Sequence, residues 1–234
     1  DANNLNDTIN VTICPTLSGS YTIDPAGSGA SNFTSFTAAV NALTCGGISG
    51  NVIFNTAAGT YNEQITISAI PGSNSSRKVT FQSASGTPSS VNLTFNSTSS
   101  NYTVMLNGVN NIAFRNMTIT AQNATYGTAL LFNNGASNDS FYNVTFNSPV
   151  TATTSTNNAV IYMPNSGVMN YNYFDTCTIN NGAFGIYLTS SSTNSLGASA
   201  QLNGANNCNF TNQYYMGTYV QYVDGIKLNY NRFT

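Results

Sequence analysis

The side chains able to do acid–base chemistry are few: Asp1, Asp7, Asp24, Glu63, Asp139, Asp175 and Asp224, with no histidine in the chain. Without His there is no Ser-His triad, and no Cys-x-x-Cys or Cys/His spacing offers a zinc site. Carboxylates alone can still hydrolyse a glycosidic bond when two of them flank it. They can also support elimination when several hold Ca²⁺ beside an Arg or Lys base. Either reaction needs carboxylates gathered in one place. The five cations, Arg77, Lys78, Arg115, Lys227 and Arg232, do not cluster enough to suggest a nucleic-acid partner.

What would position these groups is a six-residue phrase that returns along the chain. It reads Phe114-Arg-Asn-Met-Thr-Ile119, Phe141-Tyr-Asn-Val-Thr-Phe146 and Phe174-Asp-Thr-Cys-Thr-Ile179, with weaker copies at Ala205-Asn-Asn-Cys-Asn-Phe210 and Leu228-Asn-Tyr-Asn-Arg-Phe233. The closing apolar residues Ile119, Phe146, Ile179, Phe210 and Phe233 lie 27, 33, 31 and 23 residues apart. A repeat of that length with alternating, β-branched and aromatic residues predicts a parallel β-helix, each coil adding one rung. Against the closing slot, Asp139 lies seven residues back, Asp175 four and Asp224 nine. They therefore occupy different places on their coils. Asp175 and Asp224 are also two coils apart, on the order of 10 Å along the axis, so a catalytic pair is not expected.

Residues 1–50 read as a lead-in and cap, irregular to about residue 20, with an amphipathic helix over 34–44 that covers the open end of the first coil. Residues 51–234 read as the coils. Leu228 to Thr234 still follow the phrase, so the coils are expected to continue beyond 234. The parity of apolar positions shifts inside the phrase, which puts Asn116, Asn143 and Asn207 at one repeated turn as an asparagine ladder, interrupted by Thr176.

Cys14 and Cys45 flank the N-terminal segment and are expected to be bridged, closing a loop of about 30 residues worth roughly 3–4 kcal/mol. Cys177 and Cys208 share one slot of successive phrases and should stack, either as a buried cysteine step or as a bridge. Tyrosines crowd the second half. Tyr171, Tyr173, Tyr214 and Tyr215 are candidate glycan contacts, although strand ladders account for many such residues. Asn-x-Ser/Thr occurs about as often as composition dictates; the loop sequons Asn74, Asn101 and Asn138 are the expected glycosylation acceptors in preference to Asn116 and Asn143.

The stretch Tyr21-Thr-Ile-Asp-Pro-Ala-Gly-Ser-Gly29, then Phe36-Thr-Ala-Ala-Val40 and Ala58-Gly-Thr-Tyr-Asn-Glu-Gln-Ile65, resembles the N-terminal part of pectin-methylesterase-like and pectate-lyase-like β-helices. Asp224-Gly-Ile-Lys-Leu-Asn-Tyr-Asn-Arg-Phe233 is similar to their coil repeats. The resemblance implies a right-handed β-helix. For the esterases it implies a catalytic Asp pair with a supporting Arg and Gln, but the local motifs carrying those residues are not found, so none is assigned. The polar, charge-poor texture also resembles β-helix modules of large secreted bacterial surface proteins. The expected function is therefore a non-enzymatic extracellular or cell-surface module of an adhesin or surface fibre that could also bind glycan. The alternative is a carbohydrate-active enzyme, pectate-lyase-like or pectin-esterase-like, acting on acidic polysaccharide. A minor alternative is an ice-binding β-solenoid, suggested by two files of Thr and Asn that include Thr118/Thr120 and Thr145/Asn147. No cofactor, metal or membrane insertion is expected. The expected partners are further domains or surface subunits at the C-terminal end, and polysaccharide.

Overall fold

Every phrase forms a corner between two strands. In the computed structural model, which describes residues 13–190, 203–223 and 225–234, the first half of the phrase lies in one parallel sheet and the second half in another. Sheet 1 has nine strands: Asn32–Phe33, Leu17–Ile23, Ile48–Thr56, Val79–Ser83, Ile112–Arg115, Ser140–Tyr142, Tyr173–Asp175, Gly204–Asn206 and Lys227–Asn229, in that spatial order. Sheet 2 has seven, from Gly59–Asn62 to Arg232–Phe233, and sheet 3 has six, from Ile65–Ser68 to Met216–Gln221. All strand pairings between these elements are parallel and consecutive coils are neighbours, which makes the fold a right-handed parallel β-helix.

The interior follows from register. Leu93, Ile119, Phe146, Ile179, Phe210 and Phe233 pair rung on rung in sheet 2. In sheet 1, Phe54, Phe81, Phe114, Phe141 and Phe174 stack with ring centroids 4.9, 5.2, 5.8 and 4.7 Å apart. Each such ring pair adds about 0.5–1.5 kcal/mol beyond its buried area.

The corner between sheets 1 and 2 needs one residue in the left-handed region. Asn116, Asn143, Thr176, Asn207 and Tyr230 supply it with φ of 51, 52, 57, 53 and 54°. Asparagine tolerates that conformation best among residues with a side chain. The asparagine ladder is shorter than expected. Asn143 Nδ2 donates to Asn116 Oδ1 at 2.8 Å, but Thr176 breaks the file and the Asn207 amide turns to Asp175 Oδ1 at 3.4 Å.

The helix runs Phe36–Gly46 rather than over 34–44. Ser35 caps it through Oγ, which accepts from Ala38 N at 3.0 Å, and Gly47 ends it with φ 67°. Glu63, from the following coil, accepts from Phe36 N at 3.0 Å and Thr37 N at 2.8 Å, satisfying donors the helix leaves open. Phe36, Ala39, Val40 and Leu43 are buried over the first coil. The lead-in is more regular than its sequence suggests, because Leu17–Ile23 pairs with Ile48–Thr56 in sheet 1, beside the edge strand Asn32–Phe33. Cys14 and Cys45 are bridged, with Cα atoms 5.6 Å apart. At the other end, the inward residues Leu228 and Phe233 are 38% and 52% exposed.

The Thr/Asn files on sheet 2 are in register, and one is spent on itself. Asn180 Nδ2 donates to Asn147 Oδ1 at 2.9 Å, Asn147 Nδ2 to Thr120 Oγ1 at 3.3 Å, and Thr120 Oγ1 to Asn92 Oδ1 at 2.9 Å. Among the described residues, no helix is long and apolar enough to cross a membrane.

Candidate functional site

The residue after the first apolar position of each phrase points outward from sheet 1. Strand pairing aligns Gln82, Arg115, Tyr142, Asp175, Asn206 and Asn229 in one file. Two residues earlier on each strand, a second outward file runs Thr80, Ala113, Ser140, Tyr173, Gly204 and Lys227. These two files form the floor of a groove. Arg115, Asp175 and Lys227 stand on it, and Lys78 stands at its margin, so an acidic chain with net charge −2 presents a locally cationic face here.

The centre is Asp175. It lines a cavity of about 420 Å³ with Tyr173, Gly204, Asn206, Lys227 and Asn229. Its Oδ1 accepts from Thr176 Oγ1 at 3.2 Å, Asn206 Nδ2 at 3.3 Å and Asn207 Nδ2 at 3.4 Å. Three donors on one oxygen hold the carboxylate in place and leave Oδ2 for a ligand or water. Gly204 keeps the floor low between Tyr173 and Lys227, since a Cβ there would lie 2.8 Å from the Lys227 carbonyl oxygen. Arg115 and Asp175 are two strands apart, about 10 Å. This arrangement can seat a sugar against Tyr173, hold an anionic substituent with Arg115 or Lys227, and present one fixed carboxylate to it.

A second cavity of about 300 Å³ lies on the other side of Tyr173, lined by Lys78, Asn138, Asp139, Ser140 and Tyr171 among others. Tyr173 is thus the partition between two adjoining spaces. Tyr171 and Tyr173, singled out in the sequence, share this face, whereas Tyr214 and Tyr215 lie between Asn209–Thr211 of sheet 2 and Met216–Gln221 of sheet 3 and do not converge with them.

Asp139 is fully buried at the floor of this second cavity and has no countercharge. It takes a place that asparagine fills on the next two coils. Asn172 Oδ1 accepts from Asp139 N at 3.1 Å while its Nδ2 donates to Ala136 O at 3.1 Å. Asn203 repeats this with Asn172 N at 3.0 Å and Met169 O at 2.7 Å. Asp139 Oδ1 likewise accepts from Ile112 N at 2.8 Å, but its buried Oδ2, in the position of the amide nitrogens, has no partner. Burial pushes this carboxyl well above the usual range, against the pull of the Ile112 N–H. Burial therefore favours the protonated form of Asp139, which does not suit it to act as a second catalytic carboxylate.

The remaining acids have structural work or lie elsewhere. Asp24 Oδ1 closes a turn by accepting from Ala26 N at 2.9 Å, and Glu63 caps the helix. Asp1, Asp7 and Asp224 lie outside the described residues. Among the described residues, no group of three or more His, Cys, Asp or Glu could hold a metal ion. Cys177 and Cys208 are unbridged and buried; burial, with the neighbouring thiol, raises Cys177 well above the usual thiol range.

The three sequons expected to carry glycan differ in how their amides are engaged, Asn101 the most. Its Nδ2 donates to Asn157 O at 2.9 Å and its Oδ1 accepts from Thr128 N at 3.1 Å, so its amide is committed to the fold. Asn74 Oδ1 accepts from Ser76 N and Arg77 N at 2.9 and 3.0 Å, while Asn138 is exposed at φ 61°.

Solved structures sharing this architecture include the pectin methylesterase from Aspergillus niger in deglycosylated form, at 17% identity and TM-score 0.54, covering 95% of this chain and 88% of that one. The fold is the right-handed parallel β-helix that this esterase also adopts. A pectin methylesterase in complex with hexasaccharide VII aligns at 12% identity and TM-score 0.51, over 87% of this chain and 66% of that one. Pectate lyase Pel9A aligns at 16% identity and TM-score 0.53, over 86% of this chain and 55% of that one. No family model matches the sequence, and no match was found among curated proteins. The comparison corrects the expectation of a non-enzymatic module, because the solved chains that share this fold along most of the present chain are enzymes acting on pectin or pectate.

In the sequence Asp175 stands apart from Asp224, so no catalytic pair is expected of it, and its cationic neighbours on the face do not show in its spacing. The signal available was the second position of each phrase, which gathers Arg115, Tyr142, Asp175, Asn206 and Asn229 on one outward line.

Proposed function

We propose that the chain is a carbohydrate-active esterase that removes ester groups from an acidic polysaccharide lying along the outward face of sheet 1. The observation that carries this reading is the single fixed carboxylate of Asp175 between Arg115 and Lys227, in a cavity walled by Tyr173. The fold shared with pectin methylesterases supports it. In this reading Asp175 Oδ2 takes a proton from water, whose oxygen attacks the ester carbonyl carbon. The alcohol leaves with a proton, and the products are a uronate, the alcohol and one released proton. Lys227 and the Asn206 amide stabilise the oxyanion that forms on the carbonyl oxygen, while Arg115 binds a neighbouring uronate.

Elimination assisted by Ca²⁺ needs several oxygen ligands, and the one half-buried carboxylate in the cavity does not fit that donor set. An extracellular location goes with this function, and the Cys14–Cys45 bridge supports it.

The test is incubation with a highly methyl-esterified polyuronide and with its de-esterified form. Acid and methanol release from the former, without unsaturated product from the latter, is the expected result. Unsaturated product, or no product from either, would overturn it.

A further inference from the structure

Sheet 3 carries a second surface of a different kind. Its six strands contain no charged residue, in contrast to the cationic face of sheet 1. Outside the main core, Phe184 is 4% exposed and packs with Ala159 and Ala183 beneath tyrosine rings. Phe184 meets Tyr187, Tyr215 and Tyr219 edge-on, at 4.9, 5.4 and 6.0 Å, and Tyr187 stacks on Tyr219 at 4.7 Å. This outward cluster requires glycine at the next position. A Cβ on Gly185 would lie 2.7 Å from the core ring of Phe210, so only glycine lets the strand bend and turn Phe184 outward.

The rings at its border are exposed on a backbone that is held in place, and the Tyr215 ring packs on Phe184. Tyr214 and Tyr215 are 54% and 53% exposed, and their backbone N–H groups donate to Gly182 O and Ala183 O at 2.9 and 3.0 Å on the coil below. A surface held in this way loses little entropy on binding. Its chemistry is ring faces fringed by hydroxyl groups, without charge. Burial, with the neighbouring Tyr219 and Tyr162, raises the Tyr187 hydroxyl, keeping it a protonated donor.

We infer that the tyrosine cluster of sheet 3, with Tyr214 and Tyr215 at its border, is a non-catalytic docking surface for an uncharged polysaccharide. Sugar C–H faces pack on the rings and sugar hydroxyls bond to the phenols. The absence of charge selects a neutral chain over the acidic one proposed for sheet 1. Such a surface would keep the enzyme on a composite matrix while sheet 1 acts.

The test is sedimentation of the whole chain with microcrystalline cellulose, insoluble xylan and chitin, against a calcium polygalacturonate gel. Retention on at least one neutral solid, unchanged between low and high salt, is expected. The double variant Tyr214→Ala/Tyr215→Ala, confined to exposed rings, should lower apparent affinity at least tenfold, and Tyr215→Trp should preserve it. Hydrolysis of a soluble ester should be the same in all three proteins. That readout separates this surface from the sheet 1 reading. Failure of the wild type to bind any neutral solid, or equal binding by the double variant, would overturn the inference. So would a concentration-dependent dimer abolished by the double variant, which would assign the surface to a second copy of the chain.

Discussion

Asp175→Asn is expected to lower kcat/KM for ester hydrolysis by about 10²- to 10⁴-fold, the contribution typical of a positioned general base. The substitution is close to isosteric. Its amide oxygen can still accept from Thr176, Asn206 and Asn207, so the denaturation midpoint should hardly move. What is lost is an oxygen able to take a proton. KM should change less than kcat, because binding of the acidic chain rests on Arg115, about two strands away, and on packing against Tyr173. A variant with wild-type kcat/KM would place the chemistry elsewhere on the molecule.

The second expected result concerns stability and its pH dependence. Asp139 is buried without a countercharge, and its folded carboxyl keeps its proton well above the usual range. In the unfolded chain it titrates near about 3.9. Between those two values the folded state holds one more proton than the unfolded state. Stability is therefore highest below the unfolded value and falls as pH rises toward the folded one, by up to about 1.4 kcal/mol per pH unit. Asparagine is the residue that the next two coils use in this slot, through Asn172 and Asn203. Asp139→Asn puts an amide where Asn172 and Asn203 carry theirs and leaves nothing to titrate. It should raise stability by about 1–3 kcal/mol at neutral pH. The gain over wild type should shrink toward pH 4. Denaturant midpoints measured for both proteins from pH 4 to 8 check this. Parallel pH curves, or a destabilised variant, would contradict the account of Asp139.

The phrase Phe-x-Asn-x-Thr-apolar told much of the fold, because each of its slots has one physical cause. Its apolar ends are the inward rungs of sheets 1 and 2, and its asparagine is the left-handed corner. The bend at Thr176 and Tyr230 was harder to see, since neither residue favours a positive φ and only the register imposes it. The strand Leu17–Ile23 was missed because nothing in its own pattern marks it, and pairing with Ile48–Thr56 creates it.

The candidate site was half legible. Tyr171 and Tyr173 could be picked out by type, but spacing along the chain conceals that Arg115, Asp175 and Lys227 share a face. Convergence in a solenoid depends on a residue's place within its coil, and loop lengths that differ between coils scramble that place in the sequence. The same loops hid the commitment of Asn101, whose amide partners Asn157 and Thr128 belong to later coils. Catalysis was dismissed for want of two carboxylates. One carboxylate among cations on a groove is a different arrangement, and the fold shared with pectin methylesterases brought it into view.

The most direct test of the central claim is a crystal structure of the Asp175→Asn variant soaked with a short methyl-esterified oligouronide. The account predicts sugar density along the outward face of sheet 1, with one ring against Tyr173, its ester carbonyl beside residue 175, and a uronate carboxylate at Arg115. Oligouronide seated on sheet 2, on sheet 3 or at an end of the helix, with the sheet 1 groove left empty, would contradict it.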